Sequence, residues 1–205
     1  FNSGQSCCGI ERIYVDEKIF NSFLELFISK TYNYKLGNPL EQENNLGPVV
    51  KLSAAEFIIN QMNKALDKGA KKMIDENKFH FPKEHKNYLV PQILTNVTHE
   101  MDFMTEETFG PCVGIMKVSD ENEAVKLMND SPYGLTASIW TNDVEIAEKI
   151  GNQVQTGTFF MNRCDYLDPA LSWTGVKETG KGCSLSEIAY EKLTAPKSFH
   201  LRKGQ

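Results

Sequence analysis

Arg12-Ile13-Tyr14-Val15, followed by Glu17-Lys18-Ile19-Phe20-Asn21-Ser22-Phe23-Leu24-Glu25-Leu26-Phe27-Ile28-Ser29-Lys30, is the stretch that decides the fold class. The first run is rich in β-branched and aromatic side chains and suits a strand. In the second, Phe20, Phe23, Leu24 and Phe27 recur at the spacing of one helical face. A strand that leads directly into an amphipathic helix is the building unit of a helix-covered sheet.

The rest of the chain repeats that alternation. Gly37-Asn38-Pro39 and Gly47-Pro48 punctuate a polar loop, after which Ser53 is expected to cap a helix with Phe57, Ile58, Met62 and Leu66 as apolar positions and Gly69 as its stop. Tyr88 to Leu94, Val113 to Val118, Ala137 to Thr141 and Gly157 to Asn162 read as strands. Glu121 to Met128 and Val144 to Ile150 read as helices that start after Asp120 and Asp143. The predicted fold class is α/β, a mainly parallel, helix-covered open sheet. Asp75 to Asn87 is polar and reads as a variable surface hairpin or loop. Lys197 to Arg202, after Pro196, alternates in the manner of a C-terminal edge strand that invites pairing with another chain.

Bulk properties exclude several function classes. The chain has 205 residues, enough for one main domain, with 40% hydrophobic and 24% charged residues and a formal charge of −5. That balance disfavours a nucleic-acid partner. The apolar runs carry charges and fall far short of the roughly 20 residues that cross a bilayer, so no membrane span is expected. Five cysteines form an odd count without the spacing of a disulfide scaffold, which fits a reducing, cytoplasmic-type compartment. Cys7 and Cys8 are adjacent, and no Cys-x-x-Cys pair exists to join His80 and His85, so no metal site is expected. Phe1-Asn2-Ser3-Gly4 has no initiator Met, basic n-region or apolar h-region and reads as a start inside a longer protein.

Chemistry concentrates at Gly4-Gln5-Ser6-Cys7, a thiol just after a glycine turn, where backbone amides can face the sulfur or a bound oxyanion. Cysteines attack as thiolates, and an amide cluster favours that form. The bland reading is a small buried hydrophobe. Farther along, Glu106-Glu107-Thr108-Phe109-Gly110-Pro111 combines a carboxylate able to accept two hydroxyl hydrogen bonds with a ring able to confine a planar partner. Its bland reading is a solvated turn.

The run Phe1-Asn2-x-Gly4-Gln5-x-Cys7, with Arg12 and Val15 behind it, resembles the active-site signature of the aldehyde dehydrogenase superfamily, in its C-terminal, cysteine-bearing part. The resemblance makes Cys7, not Cys8, the nucleophile. It also implies that Glu107 holds nicotinamide ribose hydroxyls and that Phe109 packs by the nicotinamide of NAD or NADP. Asn129-x-x-x-Tyr133-Gly134-Leu135, Ala137-Ser138-Ile139-Trp140-Thr141-x-Asp143, Gly157-Thr158-x-x-x-Asn162 and Lys177-x-x-Gly180-x-Gly182 are similar to further family segments, so the likeness spans essentially the whole chain. It implies a catalytic domain over residues 1–193 and an oligomerisation strand over 194–205, with a homodimer or homotetramer as the assembly.

Departures from the family pattern bear on substrate and packing. Thr174 stands where the family has glycine, and Cys183-Ser184 where it has arginine-glutamate, which removes backbone freedom and a potential ion pair. Asn162-Arg163-Cys164-Asp165-Tyr166 is more polar than a tunnel for simple aliphatic aldehydes. Asn162, Arg163 and Tyr166 are therefore candidate substrate contacts, with an Arg163 ion pair to Asp165 or Asp168 as the alternative.

In the full-length enzyme the resemblance implies that Cys7 adds to an aldehyde and that a thioester then releases a carboxylic acid to water. The family's dinucleotide-binding domain, oxyanion asparagine and glutamate base precede the cysteine and are expected upstream of Phe1. Alternatives are an acylating enzyme that passes the thioester to coenzyme A, a catalytically silent structural or assembly fragment, and a Cys-His hydrolase using His80, His85, His99 or His200.

Overall fold

The computed structural model describes residues 1–81, 84–164 and 166–204. They divide into two compact units, Phe1–Ser131 with Asn152–Val154, and Pro132–Gly151 with Gln155–Gln205.

The first unit is built on β1 (Arg12–Asp16), α1 (Phe20–Thr31), α2 (Leu52–Asp67), β2 (Lys71–Lys72), β3 (Gln92–Thr95), α3 (Asp102–Thr105), β4 (Cys112–Val118) and α4 (Glu121–Asn129). The sheet order is β1-β4-β3-β2, parallel except for the short β2 at one edge. Arg12 pairs with Gly114 and Ile93 with Val113, which places β4 in the middle. Side chains alternate across this sheet as the period of two demands. Leu94, Cys112, Met116 and Tyr14 belong to the core that contains Ile58 and Met62 of α2. Ile93, Ile115, Ile13 and Val15 belong to the core reached by Phe20, Phe23 and Phe27 of α1. The sheet is thus covered by a helix on each face, as the alternation of the sequence predicts.

Several boundaries differ from the sequence reading, each for a local reason. α1 begins at Phe20 rather than Glu17, because the Asp16 carboxylate accepts the Lys18 amide (2.8 Å) and its carbonyl the Ile19 amide (3.1 Å), closing a turn first. Ser53 is not the cap of α2. Lys51 is, without a side-chain hydrogen bond, and Phe57 is 51% exposed while Ala55, Ile58, Met62 and Ala65 form the buried face. Strand β3 starts at Gln92 and not Tyr88. Pro91 has no N–H for a ladder, and the Gln92 amide is the first to bond toward β4, donating to the Pro111 carbonyl at 2.9 Å. The Asp75–Asn87 loop, of which Pro82 and Lys83 lie outside the described residues, is more than surface, since Phe79 is 5% exposed in the α1-side core. The Asp120 cap is observed as expected, its carboxylate accepting the Asn122 and Glu123 amides at 2.9 Å each.

The second unit contains β5 (Tyr133–Gly134), β6 (Thr136–Ile139), α5 (Val144–Gly151), β7 (Thr158–Met161), β8 (Trp173–Thr174), β9 (Val176–Lys177), β10 (Cys183–Ser184) and α6 (Ile188–Leu193). β6 and β7 are parallel, from Thr136 opposite Thr158 to Ile139 opposite Met161, and α5 lies between them in sequence. β5 pairs with β9 and β8 with β10, both antiparallel. The expected strand at Lys197 to Arg202 takes no ladder position among the described residues of this chain, and its Phe199 and Leu201 are exposed.

Candidate active site

The Cys7 loop starts with three successive left-handed residues, Asn2, Ser3 and Gly4, with φ of 47°, 55° and 75°. Such a run is strained unless the surroundings over-determine it. Here they do. The Ser3 hydroxyl donates to the Gly47 carbonyl at 2.7 Å, and the Gln5 amide spans the gap to the next loop, accepting the Val50 N–H at 2.7 Å and donating to the Pro48 carbonyl at 3.4 Å. A turn from Ser6 to Gly9 follows, closed by the Gly9 amide on the Ser6 carbonyl at 2.9 Å. Cys7 rides on that turn, exposed, while Cys8 is buried. Among the described residues the Cys7 amide donates to no acceptor, which leaves it open to an oxyanion. Cys112, the other buried thiol of this unit, is pushed well above the usual thiol range by burial and then by the Glu11 charge, so it is held protonated and inert.

The loop packs backbone to backbone on the second motif. A Cβ at Gly4 would stand 2.0 Å from the Gly110 carbonyl oxygen, so only glycine permits this approach. The two segments that the sequence places about a hundred residues apart are therefore in direct contact, and Glu11 joins them a second time. One of its carboxylate oxygens accepts the Thr108 N–H and the other the Phe109 N–H, both at 3.1 Å. Burial holds the Glu11 carboxyl above its ordinary range; the Phe109 and Thr108 amides pull it back down, and the charge of Glu107 pushes it up. Thr108 is 2% exposed, whereas Glu107 is exposed and Phe109, in the left-handed region at φ 53°, is 40% exposed. A large ring held out in water beside an exposed carboxylate, on a loop fastened at Thr108, pairs an apolar face with a hydrogen-bond acceptor and fits a planar heteroaromatic ring and a ribose.

Arg12 secures the start of β1 behind this loop, donating to the Met104 carbonyl (2.9 Å) and to the Ser131 hydroxyl (3.0 Å). Tyr14, two residues on, hydrogen-bonds His99 Nε2 at 2.8 Å, and His99 Nδ1 meets the Asp130 carboxylate at 2.9 Å. Both nitrogens of His99 are thereby engaged in a structural chain, which leaves it no free ring nitrogen for the hydrolase alternative. Burial raises the Tyr14 hydroxyl from 10.0 to about 12; the Arg12 charge pulls it back in part, and the Asp130 charge adds to the rise. The fold thus accommodates the neutral phenol. Its contribution is complete below the unfolded value near 10.0 and is lost as pH rises through about 12. We expect the urea midpoint to fall between about pH 9 and pH 11, equivalent to about 1 kcal/mol, and to fall less in Tyr14→Phe. Parallel pH dependences of the two proteins would contradict this.

The residues singled out for substrate lie in the second unit. The Asn162 side chain copies a strand peptide: its Oδ1 accepts the Thr141 N–H at 3.0 Å and its Nδ2 donates to the Thr141 carbonyl at 2.7 Å, continuing the β6–β7 pairing. Both functional ends of that amide are used within the fold. The Arg163 guanidinium lies 3.5 Å from the centre of the Tyr166 ring, so among the described residues its partner is an aromatic face and not Asp168. Asp165, the other expected partner, lies outside the described residues.

Glu11 was not anticipated from the sequence. The signal available was an acidic residue set between Ile10 and Arg12 at the mouth of a strand, four positions after the thiol, where a solvated charge is unexpected.

The chain is 34% identical over 207 residues to an aldehyde dehydrogenase of Emericella nidulans, covering 100% of this chain and 40% of that one. It is 34% identical over 192 residues to a succinate semialdehyde dehydrogenase [NAD(P)+] of Escherichia coli, covering 94% of this chain and 41% of that one. Its structure matches that of betaine aldehyde dehydrogenase from Staphylococcus aureus, solved in complex with NAD+, with a TM-score of 0.86 and 28% identity over 94% of this chain and 38% of that one. The chain thus spans about 40% of the length of the curated relatives it matches. The model of the aldehyde dehydrogenase family matches residues 1–199, and with Cys7 exposed on a loop locked against the Glu107–Gly110 segment, this chain belongs to that family.

Proposed function

We propose that the complete protein oxidises an aldehyde to a carboxylic acid with NAD+ or NADP+, with Cys7 as the attacking residue. The observation that carries this reading is the exposed Cys7 turn fastened, through Gly4 and Glu11, to the loop that displays Glu107 and Phe109. The Cys7 sulfur adds to the aldehyde carbon, and the Cys7 amide stabilises the oxygen as it gains charge. Bound NAD(P)+ supplies the hydride acceptor. Glu107 would hold its ribose hydroxyls and Phe109 would confine its ring. Cys7 is left acylated, and attack of water on the thioester carbonyl frees the acid and restores the thiol. The base that activates this water, the dinucleotide-binding domain and the oxyanion asparagine belong, in this reading, to a longer polypeptide, supported by the 40% coverage of its relatives.

Arg163, stacked on Tyr166, favours a polar or anionic aldehyde, a reading supported by the relative named for succinate semialdehyde. Asn162 acts in it as the anchor of that loop, not as a direct contact. We assign residues 1–193 to the catalytic domain and 194–205 to a strand that pairs with another copy in a homodimer or homotetramer. The exposure of Phe199 and Leu201, at 71% and 87%, supports that assignment. The odd number of cysteines favours a reducing, cytoplasmic-type compartment. No helix among the described residues is long and apolar enough to cross a membrane.

The test is formation of reduced dinucleotide by the complete protein over a panel of neutral and anionic aldehydes. We expect turnover with acid as product, and a panel without turnover on either dinucleotide would overturn the assignment. Chemical identification of the product with and without coenzyme A separates hydrolytic from acylating release. We expect free acid in both samples, and a thioester of coenzyme A would refute hydrolysis.

A further inference from the structure

The Glu11 carboxylate has no part in the chemistry just described, yet it is half-buried and is held above the ordinary carboxylate range by that burial. Its geometry is specific. Two successive backbone amides, Thr108 and Phe109, converge on its two oxygens at 3.1 Å each. The Thr108 and Phe109 N–H groups therefore form a small anion-facing nest, and Phe109, the second of them, lies in the left-handed region at φ 53°. A bulky side chain is unfavourable in that region and needs an external constraint to stay there. Thr108 is buried between two exposed neighbours, so the direction of its amide sets the directions in which Glu107 and Phe109 leave the loop.

We propose that Glu11 is a positioning residue for dinucleotide binding. Its carboxylate clamps the Thr108 and Phe109 amides, fixes the peptide planes on either side of Thr108 and so presents Glu107 and Phe109 together to the cofactor. The inference rests on the assignment of those two residues as cofactor contacts. Because Glu11 also sits four residues after Cys7, at the entrance to β1, the clamp ties the cofactor-facing loop to the strand that carries the nucleophile's loop. A glutamine keeps the volume but offers one acceptor and one donor in place of two acceptors, so it can hold only one of the two amides.

The test uses the complete enzyme with Glu11→Gln, Glu107→Gln and the double variant. Losing a charge-assisted contact of this kind is expected to raise KM for the dinucleotide roughly tenfold to a hundredfold in Glu11→Gln. KM for the aldehyde and the rate of Cys7 alkylation are expected to stay near wild type, and the double variant to be little worse than Glu107→Gln alone. Glu11→Asp, which keeps both acceptors on a shorter arm, is expected to recover part of the loss. Hydrogen exchange of the folded proteins reads the clamp directly, with faster exchange at the Thr108 and Phe109 amides in Glu11→Gln. If Glu107→Gln raises the dinucleotide KM and Glu11→Gln does not, the positioning role is wrong. If Glu107→Gln also leaves it unchanged, the cofactor assignment itself is at fault. Unaltered exchange at both amides overturns the clamp regardless of activity.

Discussion

Cys7→Ser in the complete protein is expected to lower aldehyde-dependent reduction of NAD+ or NADP+ by roughly a thousandfold or more, while Cys8→Ser leaves most of it intact. The asymmetry follows from where the two sulfurs are. Cys7 is exposed on the Ser6–Gly9 turn, with its own amide unengaged among the described residues, and can meet a substrate carbon. Cys8 is 6% exposed and can meet none. Serine at position 7 keeps the shape of the loop but replaces the sulfur by a hydroxyl oxygen, a much weaker nucleophile without an adjacent base. Cys8→Ser buries a hydroxyl instead, which Ser6 Oγ, 3.4 Å from the Cys8 sulfur, can partner. Its cost is expected in stability, about 1–2 kcal/mol, and not in turnover. Steady-state assays of both variants, with mass mapping of the alkylated cysteine, decide the matter. Undiminished turnover by Cys7→Ser would end the assignment of that residue as nucleophile.

Gly4→Ala is expected to be the most damaging single methyl addition in the first unit. Two terms add. At φ 75° any L side chain is strained by about 1 kcal/mol. The new Cβ would also lie 2.0 Å from the Gly110 carbonyl oxygen and 2.5 Å from its carbon, both backbone atoms that no rotamer change can move aside. The loop must therefore lift away from the Glu107–Gly110 segment, and the thiol and the cofactor-facing residues lose their registration together. Gly69→Ala is the control, since its φ of 99° imposes similar strain with nothing within 4 Å of the new atom. We expect Gly4→Ala to cost about 2–4 kcal/mol by urea unfolding and to reduce turnover about a hundredfold, against about 1 kcal/mol and near-normal turnover for Gly69→Ala. Equal effects of the two substitutions would show that the close approach is not what holds the site.

The α/β class and the order of elements were legible in the chain because they follow from periodicity. Phe20, Phe23 and Phe27 at helical spacing, and the β-branched and aromatic run Ile13 to Val15, leave few other ways to bury those side chains; β1 forms over that run, and α1 forms three residues later than its expected start. The Cys7 and Glu107–Phe109 motifs were legible for a different reason: each is a short run whose residue types carry chemistry. What could not be read were features set by long-range backbone contact. Ser53 carries the right chemistry for a cap yet sits inside α2. Asn162 carries a substrate-like amide yet spends it on Thr141.

Local pattern and residue chemistry were enough for the helix-covered parallel sheet and the family, and they singled out Cys7 as the candidate nucleophile. That Cys7 is exposed while Cys8 is buried, and that Gly4 lies against Gly110, emerge only from the folded chain. It alone also revealed that Glu11 holds Thr108 and Phe109. The difference is one of range. A periodic pattern declares its own secondary structure within a dozen residues. A carboxylate that accepts two amides 97 and 98 positions away has no signature until the chain has folded and brought donor and acceptor within hydrogen-bond distance.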